Sequence, residues 1–257
     1  MDQVACRSTA PKRAARLRNV SSSMRRPLAP SPLPLRDEIM GMPELAALTS
    51  EAAAELALAA QPRHVESGAL LVQQGASSQP LVLLFRGACK VTRTTAWGAD
   101  DATTVVDAVR APCLLLDVSV LDGQRATASI VTVRTSLAAE IARAAVQRIA
   151  AAHPTFAKAV MARAARVLRA QTRCIDQMVS GSVDVRLRRA LDNLAEQQGA
   201  SVGEGRFVAI PLRRRDLAQM VNSTTESVSR LLAMHTRQGR LQSTRDGIWW
   251  RRAPAGS

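Results

Sequence analysis

The sequence predicts an α+β chain in three parts: an N-terminal β-roll, a long dimerising helix and a C-terminal winged helix-turn-helix. Three observations carry this. Residues 61–133 hold short apolar runs punctuated by glycine, the texture of a small all-β barrel or roll. The segment after His153-Pro154 repeats an apolar seam every seven positions, which wants a partner helix. Residues 210–232 read as two short helices around a tight reversal, with a strand before and a hairpin after.

Residues 1–42 are rich in Arg, Pro and Ser, lack periodicity, and carry eight Lys/Arg against three Asp/Glu. Such a segment buries too little apolar surface to fold. A disordered basic tail is expected, idle in the favoured reading and a weak phosphate contact in the other. Met24, Met40 and Met42 are alternative starts.

The roll is expected over 43–152. A helix over 42–60 leads in, with Leu45, Leu48, Ala52, Leu56 and Leu58 as an imperfect stripe. Strands are expected at 69–72, 81–85, 103–106, 113–116 and 128–133, with Gly68, Gly75, Gly87, Gly98 and Gly123 between them. From 136 to 149 the period turns helical, and His153-Pro154 interrupts it.

The dimerisation helix is expected over 153–181. Met161, Leu168 and Ile175 recur at sevens, and Ala164, Gln171 and Met178 repeat three places later. Val160, Val167 and Cys174 widen the seam, and the pattern points to a parallel homodimer. The competing reading packs this stripe on its own roll. Arg163, Arg166, Arg169 and Arg173 are expected to form the solvated face.

The winged unit is expected over 182–257. Ser182 caps a helix whose inward positions are Val183, Leu187, Ala190, Leu191 and Leu194, and Gly199 ends it. Residues 207–210 are a short strand. The first motif helix, over 214–221, buries Leu217, Ala218 and Val221. Asn222 makes the reversal, because Asn tolerates left-handed backbone. Ser223 opens the second helix with Glu226 completing a capping box, and Val228, Leu231 and Leu232 face inward. Thr225, Glu226, Ser229 and Arg230 stay outside, where a recognition helix meets base edges. A hairpin closes the unit over 241–250, with Asp246-Gly247 at its tip. An ordinary helical hairpin shares the capping box but lacks these flanks.

The 257 residues are 47% hydrophobic but only 2% aromatic, with no Tyr, so the core is built from Ala, Val, Leu and Ile. A net charge of +14 suits a polyanion, nucleic acid before membrane. Part of the Arg and Ala usage also fits a GC-rich genome. No run of apolar residues is long enough to span a bilayer, and Arg25-Arg26 is not followed by an apolar stretch. Cys6, Cys89, Cys113 and Cys174 form no Cys-x-x-Cys. A cytoplasmic protein without metal, cofactor or membrane attachment is expected. The chain has no Ser/His/Asp grouping and no glycine-rich phosphate loop, and only His64, His153 and His235. No enzymatic activity is therefore expected. His235 is expected at the surface or against the wing.

The order of these parts resembles the Crp/Fnr family of bacterial transcription regulators. The resemblance is carried by Val185-Arg-Leu-Arg-Arg-Ala-Leu191, Asp216-Leu-Ala218, Glu226-Ser-Val-Ser-Arg230 and Gly239-Arg-Leu241, and by Gly68, Gly75 and Gly87 in the roll. It spans residues 43–252 and is densest over 183–250. It implies a cyclic-nucleotide-binding-like roll and a homodimer on double-stranded DNA, with RNA polymerase as a further candidate partner. It implies that Glu226 accepts from a cytosine amino group and Arg230 pairs with guanine. Thr225 stands where many members carry another base-reading arginine, so the operator is not that of better-known members. Glu226 cannot serve fully as both cap and base reader; capping in the free protein and reading in the complex is expected. Ser223 and Thr224, with Arg213, Arg214 and Arg215, are placed to contact phosphates, as are Arg240, Arg245, Arg251 and Arg252 from the wing.

Members that bind cyclic nucleotides carry Gly-Glu, a short helix, then Arg-Ser/Thr-Ala. Here Leu116 replaces the Gly, Asp117 is at best the Glu, and Arg125 falls one position off before Thr127. A Leu at that point blocks close backbone approach to a phosphate. The resemblance, with this departure from it, therefore implies a homodimeric regulator of an inverted-repeat operator whose roll is expected to bind no cyclic nucleotide. The alternative is an effector-dependent regulator whose roll takes another small molecule or a protein partner. Cys89 and Cys113 are expected to be inert buried thiols, and an intersubunit disulfide through Cys174 is a lesser expectation.

Overall fold

The computed structural model describes residues 34–252 except 78, 98, 99 and 180. The expected tail over 1–33 lies outside the described residues. In chain order the elements are α1 (Leu35–Met40), α2 (Ser50–Ala59), β1 (Ala60–Val65), β2 (Leu70–Val72), β3 (Leu81–Arg86), β4 (Ala88–Trp97), β5 (Asp100–Arg110) and β6 (Cys113–Leu115). There follow α3 (Ser119–Asp122), β7 (Ser129–Thr132), β8 (Ser136–Ile141), α4 (Arg143–Ala152), α5 (Pro154–Val179) and α6 (Val183–Gln198). The last elements are β9 (Gly199–Val202), β10 (Gly205–Val208), α7 (Arg214–Met220), α8 (Thr225–Arg237), β11 (Leu241–Ser243) and β12 (Ile248–Trp250).

Two antiparallel sheets, β1-β8-β3-β6 and β2-β7-β4-β5, face each other and form the roll. Buried Val72, Val82, Leu84, Val109, Leu115 and Ile130 belong to the core cluster that spans both sheets. Gly68, Gly75 and Gly87 lie between strands as expected, and all three have positive φ. Four strands escaped the sequence reading: β1, β4 and β8 in the roll, and β9 after α6. The stretch read as helical from 136 is strand to Ile141 and helix only from Arg143. Four consecutive residues of β8 are buried, so it shows no period-two alternation. The predicted tail also ends early, because Leu35–Met40 is helical and buries Ile39. In the lead-in stripe, Leu45, Leu48, Ala52 and Leu56 are buried while Leu58 is 89% exposed.

The long helix α5 divides its apolar residues between two directions. Val160, Ala170 and Cys174 are buried within their own chain. Met161, Leu168 and Ile175 are 62%, 65% and 63% exposed, one heptad apart. This corrects the expectation for Val160 and Cys174, whose side chains are already covered within the single chain. Ala164, Val167 and Gln171 are half-buried between the two directions. The side chain of Met178 lies outside the described residues. Arg163 also departs from the expected solvated face: it is 8% exposed, with Glu44 3.8 Å away. Arg166 does stay at the surface, on the same Glu44 at 2.6 Å.

The buried thiols have their acidity suppressed. Burial pushes Cys89 up to about 12 and also raises Cys113 and Cys174. Because thiolate is the reactive form, none of the three is expected to react with a disulfide-exchange reagent at neutral pH until the chain is unfolded. Counting labelled thiols before and after denaturation checks this, and rapid labelling of Cys174 in the native protein would instead show an accessible thiol there.

Candidate nucleic-acid interface

The first motif helix α7 starts after Arg213, and Asp216 closes its first turn by accepting from the Arg213 N–H at 2.8 Å. The reversal lies where predicted: Asn222 has φ 48°, and Ser223 N–H donates to the Ala218 carbonyl at 3.0 Å. The cap of α8 is one residue later than predicted. Thr224, not Ser223, accepts from Ser227 N–H at 3.1 Å, and its hydroxyl lies 2.9 Å from that of Ser227. Glu226 is therefore no capping-box partner. Its carboxylate instead pairs with Arg230 one turn on. Glu226 is thus free of any capping role, and the ion pair holds it together with Arg230 on one face of α8.

Thr225, Glu226 and Arg230 are exposed and Ser229 is half-exposed, all on the first half of α8. Beside them Arg213, Arg214 and Arg215 are exposed at the start of α7, Thr224 is exposed and Ser223 half-exposed. Buried Val228 and Leu232 anchor the opposite face, with Leu231 partly buried against the same cluster. The predicted reading and phosphate-contacting residues of the motif are thus all at least partly exposed.

Sequence reasoning missed what braces this surface. Arg186 donates from Nε to the Val221 carbonyl at 2.9 Å and from Nη1 to the Gly181 carbonyl at 2.8 Å. The turn of the motif is thereby tied to the start of α6. Its signal was present in the Arg-Leu run at 186–187, which the sequence offered only as a likeness. His235 is not at the surface: it is buried, 2.8 Å from Asp184 and edge-on to Trp250 at 5.3 Å. Its contact with the wing strand was expected; its burial was not.

The wing hairpin β11–β12 lies where predicted, but its tip differs. Thr244 holds residues 244–247 as a loop, with its N–H on the Gly247 carbonyl at 2.8 Å. Glycine is needed at 247 because a Cβ there would stand 2.0 Å from the Val208 carbonyl oxygen. Arg245 is exposed on this loop. Arg240 is not on the rim; its guanidinium sits over the Trp250 ring at 5.4 Å, with Nε and Nη2 buried. Arg251 pairs with Glu204, and Arg252 with Glu196 at 3.0 Å.

In the roll, the stretch matched to the ligand cassette is closed on itself. Leu116 and Asp117 are buried. Asp117 accepts from Ser119 N–H at 2.9 Å, Thr127 N–H at 3.1 Å and the Thr127 hydroxyl at 2.9 Å. Arg125 points elsewhere, donating to the Gly75 carbonyl at 2.9 Å. A separate cleft lies between β5, α5, α6 and α7, lined by residues that include Asp107, Arg173, Cys174 and Gln197. Desolvation raises the Asp107 carboxyl, opposed by the guanidinium of Arg163. Among the described residues no helix is long and apolar enough to cross a membrane, and no His/Cys/Asp/Glu group could hold a metal ion.

Residues 185–253 match the family described as the Crp-like helix-turn-helix domain. Among solved structures, the c-di-GMP-responsive global regulator CLP of Xanthomonas campestris is 16% identical with TM-score 0.64, over 80% of this chain and 100% of that one. FixK2 of Bradyrhizobium japonicum is 17% identical with TM-score 0.64, over 77% and 99%. A CRP/FNR-family transcriptional regulator of Thermus thermophilus is 14% identical with TM-score 0.56, over 74% and 93%. No curated protein sequence matches.

Proposed function

From a chain that carries a Crp-like helix-turn-helix domain on the fold of Crp/Fnr-type DNA-binding transcription regulators, we propose a homodimeric regulator that reads an inverted-repeat operator in the cytoplasm. The observation that carries this is the exposed polar face of α8, where Thr225, Glu226, Ser229 and Arg230 have no core to serve.

Arg230 pairs with guanine and Glu226 accepts from cytosine when α8 enters the major groove. In the free protein the two side chains pair with each other on the exposed face of α8, which supports their acting together. Arg213, Arg214 and Arg215, with Ser223, Thr224 and Arg245, contact phosphates and set register without reading sequence. Arg240 braces the wing through Trp250 and is not assigned a phosphate. The exposed seam of Met161, Leu168 and Ile175, joined by Ala164, Val167 and Gln171, receives the partner α5. Two recognition helices then meet half-sites about one helical turn, or about 34 Å, apart. The self-satisfied Asp117 and buried Leu116 support a roll that takes no cyclic nucleotide. A second reading, effector-dependent regulation, is favoured by the cleft beside Asp107, where a small ligand would touch the roll, α5 and α6 together.

Selection of bound duplexes from a random pool at about 150 mM salt, where nonspecific phosphate binding is weakened, tests the proposal. Enrichment of an inverted repeat is expected without added effector; enrichment only with an effector favours the second reading. Arg230→Ala is expected to lose about ten- to a hundredfold of operator affinity, the worth of one bidentate base contact. Its melting temperature should not move, because an exposed helical ion pair contributes little. Unchanged operator affinity in this variant would remove α8 as the reading helix.

A further inference from the structure

The roll and the DNA-binding unit are not two beads on a linker. Ala88 of β4 and Val105 and Ala108 of β5 are fully buried in the same core cluster as Leu187, Leu217 and Trp250. Three polar ties cross this junction. Lys90 of β4 pairs with Asp216 of α7. Arg134 lies 3.3 Å from Asp246 of the wing loop, and the Arg110 N–H donates to Gln198 at 3.2 Å.

Asp216 is the centre of the junction. It is 3% exposed. One carboxylate oxygen receives the Arg213 N–H that starts α7, and the other receives Lys90. A buried carboxylate needs its charge compensated, and Lys90 is the cation that does so from the roll. The same contact leaves Thr225, Glu226 and Arg230 exposed, so docking does not cover the reading face. The covalent connection between α5 and α6 includes Gly181 at φ 76°, and glycine by itself fixes no angle.

We propose that Lys90 is a positioning residue for DNA recognition: it locks the helix-turn-helix onto its own roll, so the roll sets the separation of the two recognition helices in the dimer. This rests on the dimeric operator reading above. In a locked dimer the distance between half-sites is dictated by the α5 seam and the Lys90–Asp216 contact. An operator with a longer spacer is then rejected even though each half-site is intact.

The test uses the full chain as Lys90→Met, which removes the ammonium and keeps the stem, and as Lys90→Arg. Hydrogen exchange of the free proteins is read first. Lys90→Met should accelerate exchange in α7 and at the facing residues of β4 and β5, leaving the far sheet of the roll unchanged, and Lys90→Arg should restore protection. Affinity is then compared for a single half-site, the selected inverted repeat and the same repeat with a longer spacer. Lys90→Met should leave half-site affinity alone and reduce discrimination against the longer spacer by about five- to tenfold, the usual size of one coupling contact. If Lys90→Met does not fold, Arg134→Ala weakens the same junction from its exposed edge. Unchanged spacer discrimination, or uniformly faster exchange across the chain, overturns the proposal. If wild-type protein selects no inverted repeat, the dimeric reading fails with the spacing claim, and the junction exchange alone reports whether Lys90 holds α7.

Discussion

Leu168→Glu is expected to yield a monomer that has lost its grip on the proposed inverted repeat. Leu168 is the middle member of the exposed heptad seam, flanked by Met161 and Ile175 one turn-pair away on either side. In a parallel pair of α5 helices the two copies of position 168 face each other. Two glutamates there are desolvated against one another, and each buried unpaired carboxylate costs several kcal/mol. A buried leucine contributes about 1.5–3 kcal/mol, so the substitution loses that and adds a larger penalty. The protomer itself should fold normally, since the side chain is at its surface in the single chain. Sedimentation gives the mass, and half-site binding should survive. Affinity for the full repeat should fall by about a hundredfold or more as the second binding event ceases to be intramolecular. A dimer that persists would place the seam against something other than its copy.

Trp250→Ala is expected to be the most destabilising single change in the DNA-binding unit. Trp250 is fully buried at the end of β12 and joins three elements. Its indole N–H donates to Asp192 of α6 at 2.7 Å, its face lies under the Arg240 guanidinium, and its ring meets His235 of α8. Truncation leaves a large cavity, worth about 3–5 kcal/mol, and removes the indole donor from Asp192, which keeps Arg252 at 3.6 Å. Because the core continues into β4 and β5, the loss should shift one cooperative urea transition. Trp250→Phe refills most of the space and leaves the hydrogen bond unmade, at about 1 kcal/mol. An unchanged urea midpoint in Trp250→Ala would mean the wing is not part of the core.

What could be read from the sequence follows from how local each feature's cause is. The motif at 210–232 was legible because its determinants are neighbours: periodic Leu217, Val221, Val228 and Leu232, and Asn222 for a left-handed turn. The cap slipped by one because Ser223 and Thr224 offer the same hydroxyl chemistry, and only backbone geometry chooses between them. Strand β8 was hidden by burial on both faces, and β4 by its Thr- and Arg-rich exposed half. Arg163 was read as solvated because helical spacing alone cannot show that Glu44 lies opposite it. The Lys90–Asp216 tie joins residues 126 positions apart, and no local pattern announces such a pair.

The alanines at the junction carry a consequence for how such a chain can change over time. Ala88 and Ala108 admit α6 and α7 close to the roll because their side chains stop at one methyl. A larger residue at either position would act as a shim, tilting the reading head and retuning the spacer it accepts without touching a base contact. On the proposed dimeric reading, the face of β4 and β5 packed on the C-terminal unit would act as a dial for operator architecture. A foreign roll grafted onto this reading head would work only if it brought equally small residues and a cation to the same seat.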